Sequence, residues 1–278
     1  MGTVVLLSLC SAVAYGLSDF VGGLLTRRTS AWAVAAASQG AAALLTVGLM
    51  TRTEGAPQGS ALLWGMLAGI GCAAGNVFIY RGLSRGRMTV VAPLSAVAAA
   101  ALPVLVGLVT GERPGLLPMT GVFLALPAIW LVSGAGSGLV DAHRSDLSDG
   151  LLAGAGFGVQ FSALGQVPPE AGLTPLAVSQ GVSVLAIVAG AVALSAPWLP
   201  RDRFSQFGAV AGLFAGIATF CFQLAAQRGL LTIAAITTSL YPAVTVLLAA
   251  LLLRERIRRG QSVGLTLAAT AVALIASG

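Results

Sequence analysis

The chain has 278 residues, 57% of them hydrophobic and 9% charged, with a mean hydropathy of +0.93. Soluble domains carry roughly 25% charged residues, so a soluble globular fold is excluded. The formal charge of +6 comes from arginine without any lysine and sits between apolar windows; it reads as a juxtamembrane excess, and nucleic-acid binding is not expected.

In chain order, charge-free windows run over 29–51, 55–80, 88–111, 114–140, 150–169, 171–200, 204–227, 229–253 and 260–278, and residues 1–26 form a further window broken only by Asp19. A spanning helix needs about 20 mostly apolar residues, so each window holds one. The first span, 3–25, is expected to be a retained helix and not a cleaved signal, because no basic region precedes it; it carries Tyr15, Ser18 and Asp19. The second, 31–50, carries Gln39, and the third, 61–80, Asn76 and Tyr80. The fourth, 89–109, holds Pro93, Ser95 and Pro103; the fifth is 115–134. A polar connecting loop is expected over 137–149, separating a first repeat at 1–136 from a second at 150–278. The second half then reads as 150–167 with Gln160, 173–195 with Gln180, 206–226 with Thr219 and Gln223, 231–252 with Thr238, Tyr241 and Pro242, and 261–277. The expected fold is an all-α polytopic membrane protein of ten helices.

The two halves repeat each other. Glu112-Arg113 recurs as Glu255-Arg256 (255 − 112 = 143), Gly65 and Gly69 fall on Gly208 and Gly212, and Gly121 falls on Gly264. Ser38-Gln39-Gly40 matches Ser179-Gln180-Gly181 at a slightly shorter offset (180 − 39 = 141). Five spans per half is an odd number, so the second half is inverted relative to the first, a construction that transporters use. Small residues spaced four apart, at Gly65/Gly69, Gly71/Gly75, Gly150/Gly154/Gly158 and Gly208/Gly212/Gly216, mark closely packed faces. Those faces serve packing within the chain, with a homodimer as the alternative.

Asp19 is the one ionisable residue well inside a window, and a carboxylate near a helix centre costs roughly 2.5–3.5 kcal/mol on insertion scales. It reads either as a contact for a substrate amine or a proton, or as a structural residue near the interface. Neutral polar side chains complete the candidate cavity: Tyr15, Ser18, Gln39, Asn76, Tyr80, Ser95, Gln160, Gln180, Thr219, Gln223, Thr238 and Tyr241. Pro93, Pro103 and Pro242 are candidates for kinks or gates. Glu112, Arg113, Glu255 and Arg256 read as structural turns, because a glutamate at a helix C-terminus opposes the macrodipole and must bond elsewhere. The only histidine, His143, lies in the central loop, so a histidine-based metal or catalytic site inside the membrane is not expected. Cys10, Cys72 and Cys221 read as packing residues, and neither an enzyme nor a cofactor is expected.

The Tyr15-Gly16-x-Ser18-Asp19-Phe20-x-Gly22-Gly23 stretch, the Gly-Glu-Arg turn at 111–113 and its variant at 254–256 resemble the EamA-type transporters of the drug/metabolite transporter superfamily. The second turn departs from the pattern, with Arg254 in the place of the glycine. The resemblance implies a ten-helix basket with a central cavity between the first, third, fourth, sixth, eighth and ninth helices, peripheral fifth and tenth helices, and alternating access for a small-molecule substrate. It suggests a multi-pass protein of the cytoplasmic membrane moving a polar or amphipathic metabolite or drug, with or without proton coupling. A non-transporting scaffold and a metabolite channel are the alternatives. Arginines 27, 28, 81, 85, 87, 144, 201, 203, 254, 256, 258 and 259 follow odd-numbered spans, against 52, 113 and 228 after even-numbered ones. The positive-inside rule therefore puts the odd-numbered loops in the cytoplasm and both termini outside, whereas proteins of this kind are drawn with both termini inside.

Overall fold

Inside lipid a backbone amide finds no water, so a charge-free chain satisfies its N–H and C=O groups within helices. The computed structural model describes residues 2–53, 55–56, 58–84, 88–133, 144–254 and 256–277. Among them the chain forms α1 (Gly2–Thr26), α2 (Ala31–Met50), α3 (Gly59–Ser84), α4 (Met88–Val109), α5 (Leu116–Val132), α6 (Arg144–Gly165), α7 (Thr174–Ala193), α8 (Arg203–Arg228), α9 (Leu231–Thr238), α10 (Tyr241–Leu253) and α11 (Arg259–Ala276), with a short 3-10 turn at Pro169–Ala171. No strand occurs among these residues. Seven stretches, with Leu231–Leu253 taken as one, are long and apolar enough to cross a membrane, and Leu94–Val109 and Leu116–Val132 are shorter apolar helices.

Two boundaries differ from the sequence reading. The stretch 231–252 is not one kinked helix; it is cut between α9 and α10. Proline has no N–H to give the carbonyl four residues earlier, so Pro242 leaves the Thr238 carbonyl without its helical donor. The Ser239 N–H still bonds the Ala235 carbonyl (2.9 Å), but the Leu240 N–H turns to that of Thr237 (3.3 Å), tightening the last turn. Pro242 then lies in the first turn of α10, where a missing donor is no loss. The second difference is α6, which is already helical at Arg144, within the stretch expected to be loop.

The halves interlock. α1 packs on α8 as α6 packs on α3; α2 packs on α8 as α7 packs on α3; α4 packs on α6 as α9 and α10 pack on α1. α2 also meets α7, and α5 meets α11. Repeated glycines make these contacts. A Cβ on Gly65 would run into the Pro175 carbonyl, and one on Gly208 would lie 2.8 Å from the carbonyl of Val34, the counterpart of Pro175 (34 + 141 = 175). Gly69 lies likewise against the Ser179 carbonyl and Gly212 against that of Ser38; Gly121 abuts Ala271 and Ile275, as Gly264 abuts Leu131 and Val132. Gly150, Gly154 and Gly158 lie against α4, and Gly71 and Gly75 against α6. Each of these small-residue faces is used within the chain, where close backbone approach replaces the hydrophobic drive that lipid removes.

The two ends of the bundle are unlike. At one end the Ala56 N–H bonds the Glu170 carbonyl (3.0 Å), the Gln227 amide bonds the Val167 carbonyl (3.2 Å), and Gly229 abuts Val4. Every residue from Leu231 to Leu240 is buried there, in a core that includes Leu164, Leu176, Phe222, Ile233 and Ile236. At the other end α10 is partly or fully exposed from Ala243 onward, and a Cβ on Gly22 or Gly23 would meet open space. The loops flanking this open end are tied at the side: the Thr29 hydroxyl donates to Asp202 (2.7 Å), the Ser30 hydroxyl donates to the Pro197 carbonyl (2.7 Å), and Arg28 lies 5.2 Å over the Phe204 ring. Asp202 also caps α8 by accepting from the Ser205 N–H (3.0 Å). The Thr29 hydroxyl and the Ser205 donors hold its carboxyl down at a pKa of about 2.

Candidate functional site

Asp19 lies on α1 nine residues after Cys10 (19 − 10 = 9), about 2.5 helical turns, so the two side chains leave opposite faces. Leu6, Cys10 and Val13 form the exposed outer stripe of α1. The inner face carries Ser11, whose hydroxyl donates to the Ala218 carbonyl of α8 (2.7 Å), and Gly16, which abuts Val244 and Tyr241 of α10. Asp19 belongs to the inner side and is nevertheless exposed. An exposed carboxylate on the face turned away from the outer stripe lines a space inside the bundle. It makes no hydrogen bond or ion pair among the described residues, and it stands within electrostatic reach of the Tyr15 and Tyr241 phenols.

Aromatic rings close the space on the sealed side. The Tyr15 and Tyr241 rings are 6.0 Å apart at 51°, Tyr15 meets the edge of Phe161 at 6.0 Å, and Phe161 lies 4.6 Å from Phe222. Tyr15 is fixed further by a 3.0 Å hydrogen bond between its hydroxyl and that of Thr219. α1, α6, α8 and α10 thus each contribute to one aromatic layer, with Asp19 one turn of α1 beyond it toward the open end. Ser18, next to Asp19, is nearly buried.

A second polar group lies between α2, α3 and α7. The Gln39 amide donates to the Ser183 hydroxyl (2.6 Å) and to the Cys72 sulfur (3.1 Å), the Ser183 hydroxyl reaches that sulfur at 3.2 Å, and the Asn76 amide donates to the Cys72 carbonyl (2.8 Å). Gln180, the repeat mate of Gln39, is buried without an equivalent bond, because the counterpart of Ser183 is Ala42 (183 − 141 = 42). The sequence set therefore splits in the structure. Tyr15, Asp19, Thr219 and Tyr241 come together, while Gln39 and Asn76 form their own cluster. Gln223 belongs to the sealed end, where its amide reaches the Gly172 carbonyl at 3.4 Å and its oxygen has no partner.

Ser95, Gln160 and Thr238 are buried in helix contacts, Ser95 with its carbonyl against Gly154, Gln160 with its backbone against Gly71, and Thr238 with its hydroxyl 3.5 Å from the Ser8 carbonyl. Pro103 is buried within an unbroken α4, so the cut falls at Pro242 and not there. Arg256 is exposed between α10 and α11. The side chains of Tyr80 and Pro93, and Glu255 altogether, lie outside the described residues.

Glu112 follows α4 and crosses to the other half. Its carboxylate accepts the backbone N–H groups of Leu231 and, at 2.9 Å, of Thr232, the first residues of α9. A carboxylate at a helix N-terminus satisfies orphan donors and complements the dipole. Arg113 donates to the Leu108 and Glu112 carbonyls, closing the end of α4. Sequence reasoning did not single out Phe161, Phe222, Ser183 or Asp149, which is fully buried in α6. Phe161 follows Gln160, and Ser183 stands four residues past Ser179, so helical spacing carried a signal for both; Asp149 read as part of a polar linker.

The EamA-like transporter family matches this sequence twice, over residues 2–134 and 151–277. A solved structure, described as the crystal structure of a protein, superposes with a TM-score of 0.71 over 98% of this chain and 95% of that one, at 17% identity. At that identity the likeness is one of fold. Comparison with curated proteins gives no match.

Proposed function

The chain belongs to the EamA-like transporter family, a multi-pass membrane protein of the drug/metabolite transporter kind, and from that premise we propose that it moves a small polar or amphipathic molecule by alternating access. On this reading ten spans form two inverted halves across the cytoplasmic membrane, with α9 and α10 together making one span. The observation that carries it is the one-sided space at Asp19: an exposed interior carboxylate at one end, and at the other a stretch from Leu231 to Leu240 that is buried throughout. A channel has no reason to seal one end so completely, and a scaffold has no reason to keep inside a carboxylate that has no partner among the described residues. By the arginine excess the open end faces the cytoplasm. No nucleotide-binding motif occurs in the sequence, so a gradient drives the cycle, and Asp19 is the group placed to exchange a proton.

Cysteine accessibility tests this. In a background without Cys10, Cys72 and Cys221, Gly23→Cys reports on the open end and Thr237→Cys on the sealed one. Membrane-impermeant thiol reagents should label Gly23→Cys from the arginine-rich side only, and Thr237→Cys slowly and from the opposite side only. Labelling of both from both sides identifies a channel, and a Thr237→Cys that never reacts identifies a scaffold. Proteoliposomes carrying Asp19→Asn report separately on coupling, since flux with unchanged pH dependence removes Asp19 from any proton step.

A further inference from the structure

Arginine gathers where the connection between α1 and α2 meets the start of α8. Arg27 and Arg28 stand on one side and Arg201 and Arg203 on the other, all four exposed. The two segments are tied by the Thr29–Asp202 and Ser30–Pro197 hydrogen bonds and by Arg28 over the Phe204 ring. Asp202, the acid between Arg201 and Arg203, is engaged inward by the Thr29 hydroxyl and by Ser205, so what the corner offers outward is guanidinium. Beside it lies an open hollow of about 240 Å³, lined by Arg203, Gln206, Phe207 and Val210. At 3.6 residues per turn these four share one face of α8, and the same face continues with Leu213 and Ile217, both exposed. The face therefore carries donors at its start and only apolar side chains along its length. Trp198, in the same connection, packs with Trp32; tryptophan gathers at the level of lipid headgroups. The hollow lies at that level, and the apolar face runs from it toward the middle of the bilayer.

We propose that this hollow holds the phosphate headgroup of an anionic phospholipid, with Arg203 and Gln206 as its donors and an acyl chain along Phe207, Val210, Leu213 and Ile217. A guanidinium presents two parallel N–H donors to a phosphate, and the neighbouring arginines add a positive field that favours a net negative headgroup over a zwitterionic one. The apolar face is what separates a lipid from a free anion: it serves only a ligand that extends one way from its charge. A lipid seated there braces the tie between the α1–α2 connection and α8, beside the open end.

Native mass spectrometry of the full-length protein in a nonionic detergent tests the assignment, with phosphatidylglycerol and phosphatidylcholine of the same acyl chains offered in equal amounts. The first lipid bound should be phosphatidylglycerol by about fivefold or more, and Arg203→Gln should lower that preference about fivefold, the size of one basic residue near an anionic surface. Arg52→Gln, which removes an exposed arginine from a different connection, should leave the preference unchanged. Phe207→Ala should weaken both lipids alike, because it touches the chain and not the headgroup. Phosphatidylglycerol should also raise Tm in the unaltered protein, a readout that stands even if a variant folds poorly. Inorganic phosphate should displace no more lipid than sodium chloride of equal ionic strength does; specific displacement by phosphate shows that the hollow takes a free anion and overturns the lipid assignment. Equal binding of the two lipids overturns it as well, as does a preference that survives Arg203→Gln in a folded variant or that falls equally with Arg52→Gln.

Discussion

Removing the Glu112 carboxylate should loosen the start of α9 and lower the stability of the whole fold. Leu231 is 4% exposed and Thr232 is 0% exposed, so the two amides that Glu112 accepts have no water to turn to. Hydrogen bonds to a charged group contribute about 1.5–3 kcal/mol each, and a lost N-cap costs about 0.5–2 kcal/mol. Because the two bonds share one carboxylate and overlap with the cap, Glu112→Ala should cost about 2–4 kcal/mol. At about 2–4 °C per kcal/mol for a chain of this size class, Tm should fall by roughly 4–16 °C. Glu112→Gln keeps one acceptor and should lie between the two. Gly107 offers a variant that leaves the carboxylate in place: a Cβ there would lie 2.5 Å from the Thr232 hydroxyl oxygen and run into the Glu112 carboxylate. Gly107→Ala should therefore destabilise although alanine is the better helix former. Intrinsic-fluorescence melts in one detergent at a fixed scan rate measure all three. Tm values within about 1 °C of the unaltered protein for both Glu112→Ala and Gly107→Ala would refute the capping role, being far below the shift just worked out.

Gly212→Ala should destabilise by about 1–3 kcal/mol, because its Cβ collides with the Ser38 carbonyl across the α2–α8 contact; Gly40→Ala, whose Cβ meets open space, should be neutral or slightly stabilising by the same melts. Asp202→Ala should lower Tm at pH 7 by removing the α8 cap and the tie to Thr29. The Asp202 carboxyl sits at about 2 in the folded chain, below the unfolded value of about 3.9, so its contribution is complete above that unfolded value and is lost as pH falls toward 2. Melts at pH 7 and pH 3 should show the difference between Asp202→Ala and the unaltered protein narrowing in acid.

The helices and their cross-half packing were legible because two signals are local and redundant. Charge-free windows mark where helices fall, and glycines at fixed offsets mark where they touch; Gly65 against Pro175 and Gly208 against Val34 are the repeat in three dimensions. What the sequence concealed is pairing between distant residues. Glu112 could be seen to need donors, but the donors are 119 and 120 residues away, in the half that the repeat maps onto a different glutamate. The list of polar residues was likewise legible as a list, not as a division. Whether Asn76 belongs with Tyr15 or with Gln39 depends on how α3 is rotated between α6 and α7, which the glycines on two of its faces settle only once their partners are known. Asp149 read as loop because acids precede it at Asp141 and Asp146, although two and more turns of apolar helix follow directly.

Where the repeat is matched contact for contact, the contacts look the same whichever end is sealed and have no reason to break during a cycle. The fourth elements of the two halves are not matched. α4 runs unbroken from Met88 to Val109, while its counterpart is cut between Thr238 and Tyr241, where Pro242 stands opposite Ala99 (99 + 143 = 242). The cut separates a buried α9, held at its start by Glu112, from an α10 that borders the open end beside Gly16. A continuous helix can only tilt, whereas a cut one can move its two parts separately, so the proposed exchange of open and sealed ends would have its hinge here. Pro242→Ala returns an N–H to the Thr238 carbonyl and favours one rod from Leu231 to Leu253. The fold should be as stable as before or more so, and labelling of Thr237→Cys from the sealed side should slow several-fold, because α9 can no longer move without α10. A Pro242→Ala protein that keeps its stability and labels at the original rate shows instead that the cut is a detail of packing with no part in the cycle.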